Sequence, residues 1–522
     1  MNLLSRRGLF QRGGWLAGAG WFGLKQPKAA AAPLEVGPNL YTSIGVKPLI
    51  NCKGTYTIIS GSQSLPEVKR AMELASHSYV HIDELMEAVG RRLSELTQAE
   101  WGIVTAGCAA ALTHATAACI AGADPEKMQR VPNLTGLKNQ VVVPRYSRND
   151  YDHAVRMLGV KMVEVETAAE FEAALTPQTA MVMILSCPAA EKGELSIENA
   201  CRMARAKGVP VIVDAAAEML TIPNIHLQHG ATMVAYSGGK CLRGPQTAGL
   251  LLGPKALVQA AFLNSAPHHA FGRSLKIGKE EIMGMLAAVE MWVKRDHEAE
   301  WRQWQAWIDH IGERARQVNG VTTEILQPED LSNRSPQLLI RWDGKKLGIT
   351  GKEMDDLLFH GDPRIIVGGS HGDRRRDMAS SIVIMPYMMM PGDDKIAGEA
   401  IYRLLSNPPR IPTPEPRGGT LANVDGQWEA HVTFFQGASD HRFVFEQQAD
   451  KLVGTHRGDI LTGDLHGSVE GNRVMFHSRH RIEGKILDYD FTADVAGDAM
   501  EGEVDMNEYG KARFTARRHK YA

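Results

Sequence analysis

The chain has 522 residues, with 58 Lys+Arg against 60 Asp+Glu, 44% hydrophobic and 23% charged residues, a balance that fits neither a disordered solvating chain nor a nucleic-acid polycation. At about 150 residues per domain, the length predicts two to four domains. No apolar run approaches the ~20 residues of a membrane-spanning helix, so no stable membrane span is expected. Six scattered cysteines without a CxxC pair argue against a disulfide framework or a zinc site.

Residues 1–32 read as an address. Arg6-Arg7 precedes a Gly-diluted apolar stretch over 13–24, then Lys25, Lys28 and the alanines of 29–32, which is the charged, apolar and small-residue order of an export signal. The paired arginines resemble a twin-arginine signal, with Leu9-Phe10 in the reverse of the usual order. The expectation is that the twin-arginine export machinery carries the folded chain to the periplasm.

Over 40–277, short β-branched runs alternate with helical patterns, the runs falling at 103–105, 140–143, 161–165, 180–184, 209–213 and 232–236. Near-continuous apolar strands parted by helices predict an α/β fold with a mostly parallel sheet covered on both faces. Ligands of such sheets bind beyond the carboxyl ends of the strands. Residues 278–406 open on a long helix carrying Trp292, Trp301, Trp304 and Trp307, a stripe read as core or dimer contact, and form a smaller α+β unit. Residues 407–419 hold five prolines and read as a stiff linker. Over 420–519 the period becomes two, and eight short runs parted by Gly- and Asp-containing turns predict an eight-stranded up-and-down barrel of lipocalin shape. The barrel carries seven of the 19 histidines without ligand spacing; they read as barrel-face residues, and no metal is expected.

Asp214 closes the apolar run Val211-Ile-Val, and Lys240 follows the next run and Ser237-Gly-Gly. Equivalent ends of successive buried strands put both charges over one crevice, and burying both is costly unless something uses them. Pyridoxal phosphate uses both, since an amine condenses with its aldehyde and a carboxylate keeps its pyridine nitrogen protonated. Upstream, Val104-Thr105-Ala106-Gly107-Cys108 passes from strand through small residues into a helix, where backbone N–H groups can hold a phosphate.

These stretches, together with Ile50-Asn51-Cys-Lys-Gly54-Thr55-Tyr56-Thr57, Asp214-Ala-Ala216-Ala-Glu218 and Ser237-Gly-Gly-Lys240-Cys-Leu-Arg-Gly-Pro-Gln246, resemble fold-type I pyridoxal-phosphate enzymes. Within them they resemble the branch of selenocysteine synthase and D-glucosaminate-6-phosphate ammonia-lyase, over roughly 40–405. The resemblance implies an aspartate aminotransferase-like pair of domains and a homodimer or higher homo-oligomer. It implies Lys240 as Schiff-base lysine and general base, and Asp214 as partner of the ring nitrogen. Ala106, Gly107 and Cys108 correspond to the phosphate turn, Ser237 to a second phosphate ligand, and Ala216 to a neighbour of the cofactor. Cys108 stands where the branch commonly has Ala, which leaves the backbone role intact.

Arg145, Tyr151 and His153 follow the strand at 141–143, where a residue that stacks on the ring or binds a carboxylate is expected; the sequence does not choose among them. Thr55 and Arg364 are further substrate-binding candidates, Arg364 as a bidentate grip on a carboxylate. The implied reaction is α,β-elimination of ammonia-lyase type on a small amino acid or amino sugar acid. Transfer, transamination and racemisation share its first step and stay open. Export argues against aminoacyl-tRNA or a sugar phosphate as substrate, so no nucleic-acid partner is expected. A non-catalytic binding protein or lipocalin-like carrier is the other class, and joint retention of Asp214, Ser237 and Lys240 counts against the former.

Overall fold

Unbroken β-branched and apolar runs become strands, and in the computed structural model the first, β1 (Leu49–Cys52), is followed by seven that build one sheet. These are β2 (Trp101–Thr105), β3 (Gln140–Pro144), β4 (Lys161–Val165), β5 (Thr179–Leu185), β6 (Val211–Asp214), β7 (Met233–Ser237) and β8 (Gly249–Gly253). The structure describes residues 34–374, 377–412 and 417–520, so residues 1–32, expected from the sequence to be an export signal, and part of the proline linker lie outside the described residues. The strand order is β2-β8-β7-β6-β5-β3-β4. β7, β6, β5, β3 and β4 pair in parallel, while β8 runs antiparallel between β2 and β7. The mostly parallel sheet is as expected; β8 is an addition, because Gly249-Leu-Leu-Leu-Gly253 is too short to show a period.

β5, β6 and β7 are buried almost throughout, as strands covered by helices on both faces must be. One covering helix, α1 (Gly107–Ala121), is buried on nearly every side, since it packs on β7, β8 and the helix Lys255–Leu263. Its small alanines allow that close approach. The short helix α2 (His153–Arg156) packs beside it.

The expected long tryptophan helix is two helices, α3 (Lys279–Lys294) and α4 (His297–Ala315). The break is set by Asp296, whose side chain caps α4 by accepting from the Ala299 N–H at 2.9 Å. Trp292 is buried with its indole N–H on Leu220 O at 2.7 Å, whereas Trp301, Trp304 and Trp307 are half-buried around a cavity of about 650 Å³. A second sheet follows, from β9 (Thr322–Leu326), β10 (Gln337–Asp343), β11 (Arg364–Asp373) and β12 (Asp377–Ile384), in the order β1-β11-β12-β10-β9. Residues 49–52, assigned from sequence to the first unit, thus belong to the second sheet, with Cys52 opposite Val367. A four-residue run carries no information about its partner strand.

The last eight strands are β13 (Gly426–Thr433), β14 (Ala438–Gln448), β15 (Lys451–Arg457), β16 (Thr462–Glu470), β17 (Arg473–Ile482), β18 (Lys485–Ala496), β19 (Ala499–Asp505) and β20 (Lys511–Arg518). They form a closed antiparallel barrel in which β20 returns to β13. Inside, Trp428, Phe443, Phe476, Phe491 and Phe514 are buried, and their phenyl rings meet edge-on or stacked at 4.5–5.2 Å. The barrel interior is therefore occupied by its own side chains.

Farther along, a hydrogen-bonded row crosses the interior. Ser439 Oγ meets His441 Nε2 at 2.7 Å, His441 Nδ1 meets His456 Nε2 at 2.8 Å, and His456 Nδ1 meets Ser478 Oγ at 3.0 Å. Burial, reinforced by His480 and His441, pushes His456 down to about 2; His441 and His480 are lowered too, chiefly by burial. An unfolded histidine takes up a proton below about pH 6.5, so the unfolded barrel binds more protons than the folded one there, and stability falls with pH. His456 alone removes on the order of 1 kcal/mol per pH unit below 6.5, or a few kcal/mol at pH 4.5. Calorimetry of the full chain should show the barrel transition dropping by roughly 10–20 °C between pH 7 and 4.5, with a shallower slope in His456→Gln. A pH-independent transition would contradict this account.

Candidate active site

β6 ends on Asp214 and β7 on Ser237, so the loops leaving both strands open on the same edge of the sheet. Lys240 lies in the turn after β7. Three backbone bonds close that turn: Gly238 N–H to Ala248 O at 2.8 Å, Arg243 N–H to Lys240 O at 2.9 Å, and Gly244 N–H to Gly238 O at 2.8 Å. On the same edge β2 delivers Thr105, whose hydroxyl donates to Gly107 O at 2.8 Å. Gly107 takes φ +82° to start α1, a conformation that favours glycine. No side chain caps that first turn, which leaves backbone N–H groups directed outward for an anion. Gly249 of β8 lies directly beneath, and a Cβ there would stand 2.3 Å from Gly107 C and 2.6 Å from Cys108 N. Only glycine allows β8 to run so close to the turn.

Asp214 is 2% exposed. Its Oδ1 accepts from the Ala216 N–H at 3.1 Å and from the Cys108 thiol at 3.4 Å. Burial raises the carboxyl, opposed by the Ala216 N–H and the Lys240 charge. Burial, with Asp214 adding to it, holds the Cys108 thiol far up, so Cys108 serves as a protonated donor. Beyond Asp214, the buried Glu218 carboxylate accepts from Ser186 Oγ and lies 2.5 Å from His226 Nε2. The Cys241 thiol donates to Glu218 O at 2.8 Å, which ties the stretch after Asp214 to the residue after Lys240.

The second unit closes over this edge. Ser62 N–H donates to Gly239 O at 2.9 Å, which lays the chain from Thr55 onward across the lysine turn. Thr55 Oγ1 stands 2.7 Å from Tyr387 Oη, and Asn333 Oδ1 accepts from Tyr387 at 2.8 Å and from Thr55 at 3.3 Å. Asn333 itself, at φ +48°, donates its N–H to Ala217 O at 2.8 Å. Asn333 and Tyr387 have no sequence signal. They come from a loop and a turn 54 residues apart, and only the tertiary fold sets them beside Thr55.

The three candidates after β3 separate. Arg145 is committed outward, to Glu164 Oε1 at 2.6 Å and to Glu166. Tyr151 is 57% exposed, and its phenol is raised by partial burial and by Asp214, Asp150, Cys108 and Glu508 around it. His153 begins α2 and is exposed. Arg364 is not brought to the crevice. It begins β11, while Val367 at the other end of the pairing lies opposite Cys52, next to the site. Three residues of strand make that separation about 10 Å. Its Nε donates to Phe359 O at 2.9 Å and its guanidinium lies 4.7 Å from the Phe359 ring centroid. The basic residue before an apolar run marks the strand's start, and the crevice lies at strand ends.

The aminotransferase class-V family matches residues 67–271. Over 337 residues the chain is 31% identical to the D-glucosaminate-6-phosphate ammonia lyase of Salmonella typhimurium, a match spanning 62% of this chain and 88% of that protein. The chain belongs to the fold-type I pyridoxal-phosphate enzymes. A solved D-glucosaminate-6-phosphate ammonia-lyase structure aligns with this fold-type I chain at a TM-score of 0.62 and 28% identity, using 71% of this chain and 100% of that one. The 5'-C-glycyluridine monooxygenase-decarboxylase of a Streptomyces species is 28% identical over 337 residues, 62% of this chain and 83% of that protein. The residues present fit pyridoxal phosphate: an amine, a buried carboxylate and an uncapped helix start share one edge of the sheet.

Proposed function

We propose that this enzyme releases ammonia from a small amino acid or amino sugar acid by α,β-elimination, and that it does so after export. The observation that carries the reading is the convergence of Lys240 and Asp214 on one crevice in a chain related to an ammonia lyase. When bound, the cofactor supplies an electron sink beside the substrate's α-carbon. Lys240 would hold it by the amine and, once the substrate's own amine has displaced that link, would take the α-proton as general base. Asp214, which burial alone would neutralise, would serve as the charged partner that keeps the cofactor's ring nitrogen protonated, while Ala216 N–H and Cys108 S–H orient the carboxylate. Ala106, Gly107, Cys108 and Ser237 would hold its phosphate through the α1 start and the Ser237 hydroxyl.

Loss of a β-hydroxyl as water after proton removal leaves an enamine, whose hydrolysis yields ammonia and a 2-oxo acid. Thr55 and Tyr387, fixed by Asn333, offer hydroxyls to the substrate's polar groups. Transamination, transfer and racemisation begin with the same proton abstraction by Lys240. Exposed apolar side chains at Tyr56 and Ile58, flanking Thr57, whose carbonyl accepts from Gln246 beyond the lysine turn, support a homodimer that covers this surface. Arg6-Arg7 and the zones after them support twin-arginine export to the periplasm.

One experiment addresses these points together. The full chain is expressed, cell fractions are separated, and the purified protein is sized and screened with D- and L-amino acids and amino sugar acids for ammonia and 2-oxo acid. The expected result is a periplasmic dimer that releases both products from a β-hydroxy substrate. Racemised substrate without ammonia would replace elimination by racemisation, and purely cytoplasmic recovery would remove export.

A further inference from the structure

The tip of the β17–β18 hairpin, Glu483 and Gly484 between the paired Ile482 and Lys485, lies on residues 145–153. A Cβ at Gly484 would stand 2.1 Å from Asn149 O and 2.6 Å from Asp152 Oδ2, so the hairpin backbone rests directly on the segment's backbone. Around that contact, charges interlock. Arg148, with 6% of its side chain exposed, donates to Asp152 Oδ2 at 2.5 Å, to Glu164 Oε2 at 3.1 Å and to the barrel's Glu483 Oε2 at 2.5 Å. Arg481 of the barrel reaches the same Glu164 Oε2 at 3.1 Å. Lys485 joins Asp150 Oδ2 at 2.9 Å to Glu508 Oε1 at 2.5 Å.

The segment's other side faces the site. The Ser147 hydroxyl accepts from Leu185 N–H at 3.0 Å, and Leu185 is the direct sheet partner of Asp214. Thr113 of α1 donates to Ala154 O at 2.7 Å. Between these anchors the chain consists of two three-residue 3₁₀ turns, Arg145–Ser147 and Asp150–Asp152. The second turn is closed by a capping box between Asn149 and Asp152, and Tyr146 Oη donates to Leu195 O at 2.5 Å, so the segment keeps its own local shape and the hairpin bears on how the part around Asn149 and Asp152 is seated.

We propose that the barrel hairpin at Glu483, Gly484 and Lys485 is a positioning element of the active site, clamping residues 145–153 against the Asp214 edge so that Tyr151 and His153 form one wall of the crevice. The proposal rests on the crevice being the cofactor site. It makes the barrel part of the working enzyme, and Arg148 the buried link between them. Removing Glu483 takes away the barrel's carboxylate on Arg148 and leaves that guanidinium held by Asp152 and Glu164 of its own unit, which loosens the hairpin's grip on the segment.

The test uses the full chain with Gly484→Val, Glu483→Ala and Glu483→Gln, and Asp450→Asn at the opposite end of the barrel as control. Hydrogen exchange is followed without cofactor, and pyridoxal phosphate affinity by visible absorbance. Gly484→Val and Glu483→Ala should speed exchange over 145–153 at least about tenfold, leave the barrel amides protected, and weaken cofactor binding several-fold. Glu483→Gln, which keeps the acceptor, should recover most of both, and Asp450→Asn should match the native chain. Native exchange over 145–153 in both Gly484→Val and Glu483→Ala would overturn the proposal. If Gly484→Val loosens the whole barrel, the contrast between Glu483→Ala and Glu483→Gln decides. A native chain that binds no cofactor would defeat the reading of the crevice, and the exchange data would still decide the clamp.

Discussion

Lys240→Ala should give a colourless protein after incubation with pyridoxal phosphate, with turnover lowered by at least about 10³-fold. The turn that carries Lys240 is held by backbone bonds from Gly238, Arg243 and Gly244, none of which needs the lysine side chain. Alanine therefore removes the amine and leaves the turn in place. What is lost is both the covalent hold on the cofactor and the base for the α-proton, and general-base removal alone is worth about 10²–10⁴-fold. The phosphate cradle at the α1 start remains, so the variant should still bind cofactor, more weakly and without the visible band. Visible spectra and product assays on the same preparation check this; an unchanged band in Lys240→Ala would place the lysine outside the site.

Asp214→Asn should retain the cofactor and lose at least about a hundredfold in kcat, the scale seen when one preorganised electrostatic partner is removed. Asparagine is isosteric, and its oxygen can still accept from Ala216 N–H and Cys108 S–H, the two bonds that orient the aspartate. Folding should accordingly be preserved. The difference is the charge, which is what keeps a pyridine nitrogen protonated in a buried setting. Kinetics with saturating cofactor separate this from a binding defect, and a kcat within twofold of the native enzyme would exclude Asp214 as the ring's partner.

Much of the site was legible because its signals are local. An aspartate closing Val211-Ile-Val and a lysine just beyond Ser237-Gly-Gly stand out against the apolar runs before them, and period-two alternation marks each barrel strand. What was not legible depends on registers set far away in the chain. β1 finds β11 across more than three hundred residues, and Asn333 reaches Thr55 through a loop with no pattern. Arg364 looked like a carboxylate grip because its residue type suits the task, but type says nothing about which end of a strand faces the crevice. The proline-rich linker, read as stiff, carries no information about what the barrel packs against. That barrel does have its own apolar core, yet Gly484 and Arg148 join it to the enzyme.

The closure of that barrel sets an order of events during synthesis. β13 cannot complete its pairing until β20 has been translated, since Trp428 aligns with Arg518, and the hairpin that rests on Asn149 lies more than two hundred residues after Lys240. The ribosome delivers the α/β part first, and domains fold as they emerge. On the proposed clamp, Lys240 and Asp214 are therefore both synthesised long before the hairpin that seats residues 145–153 exists.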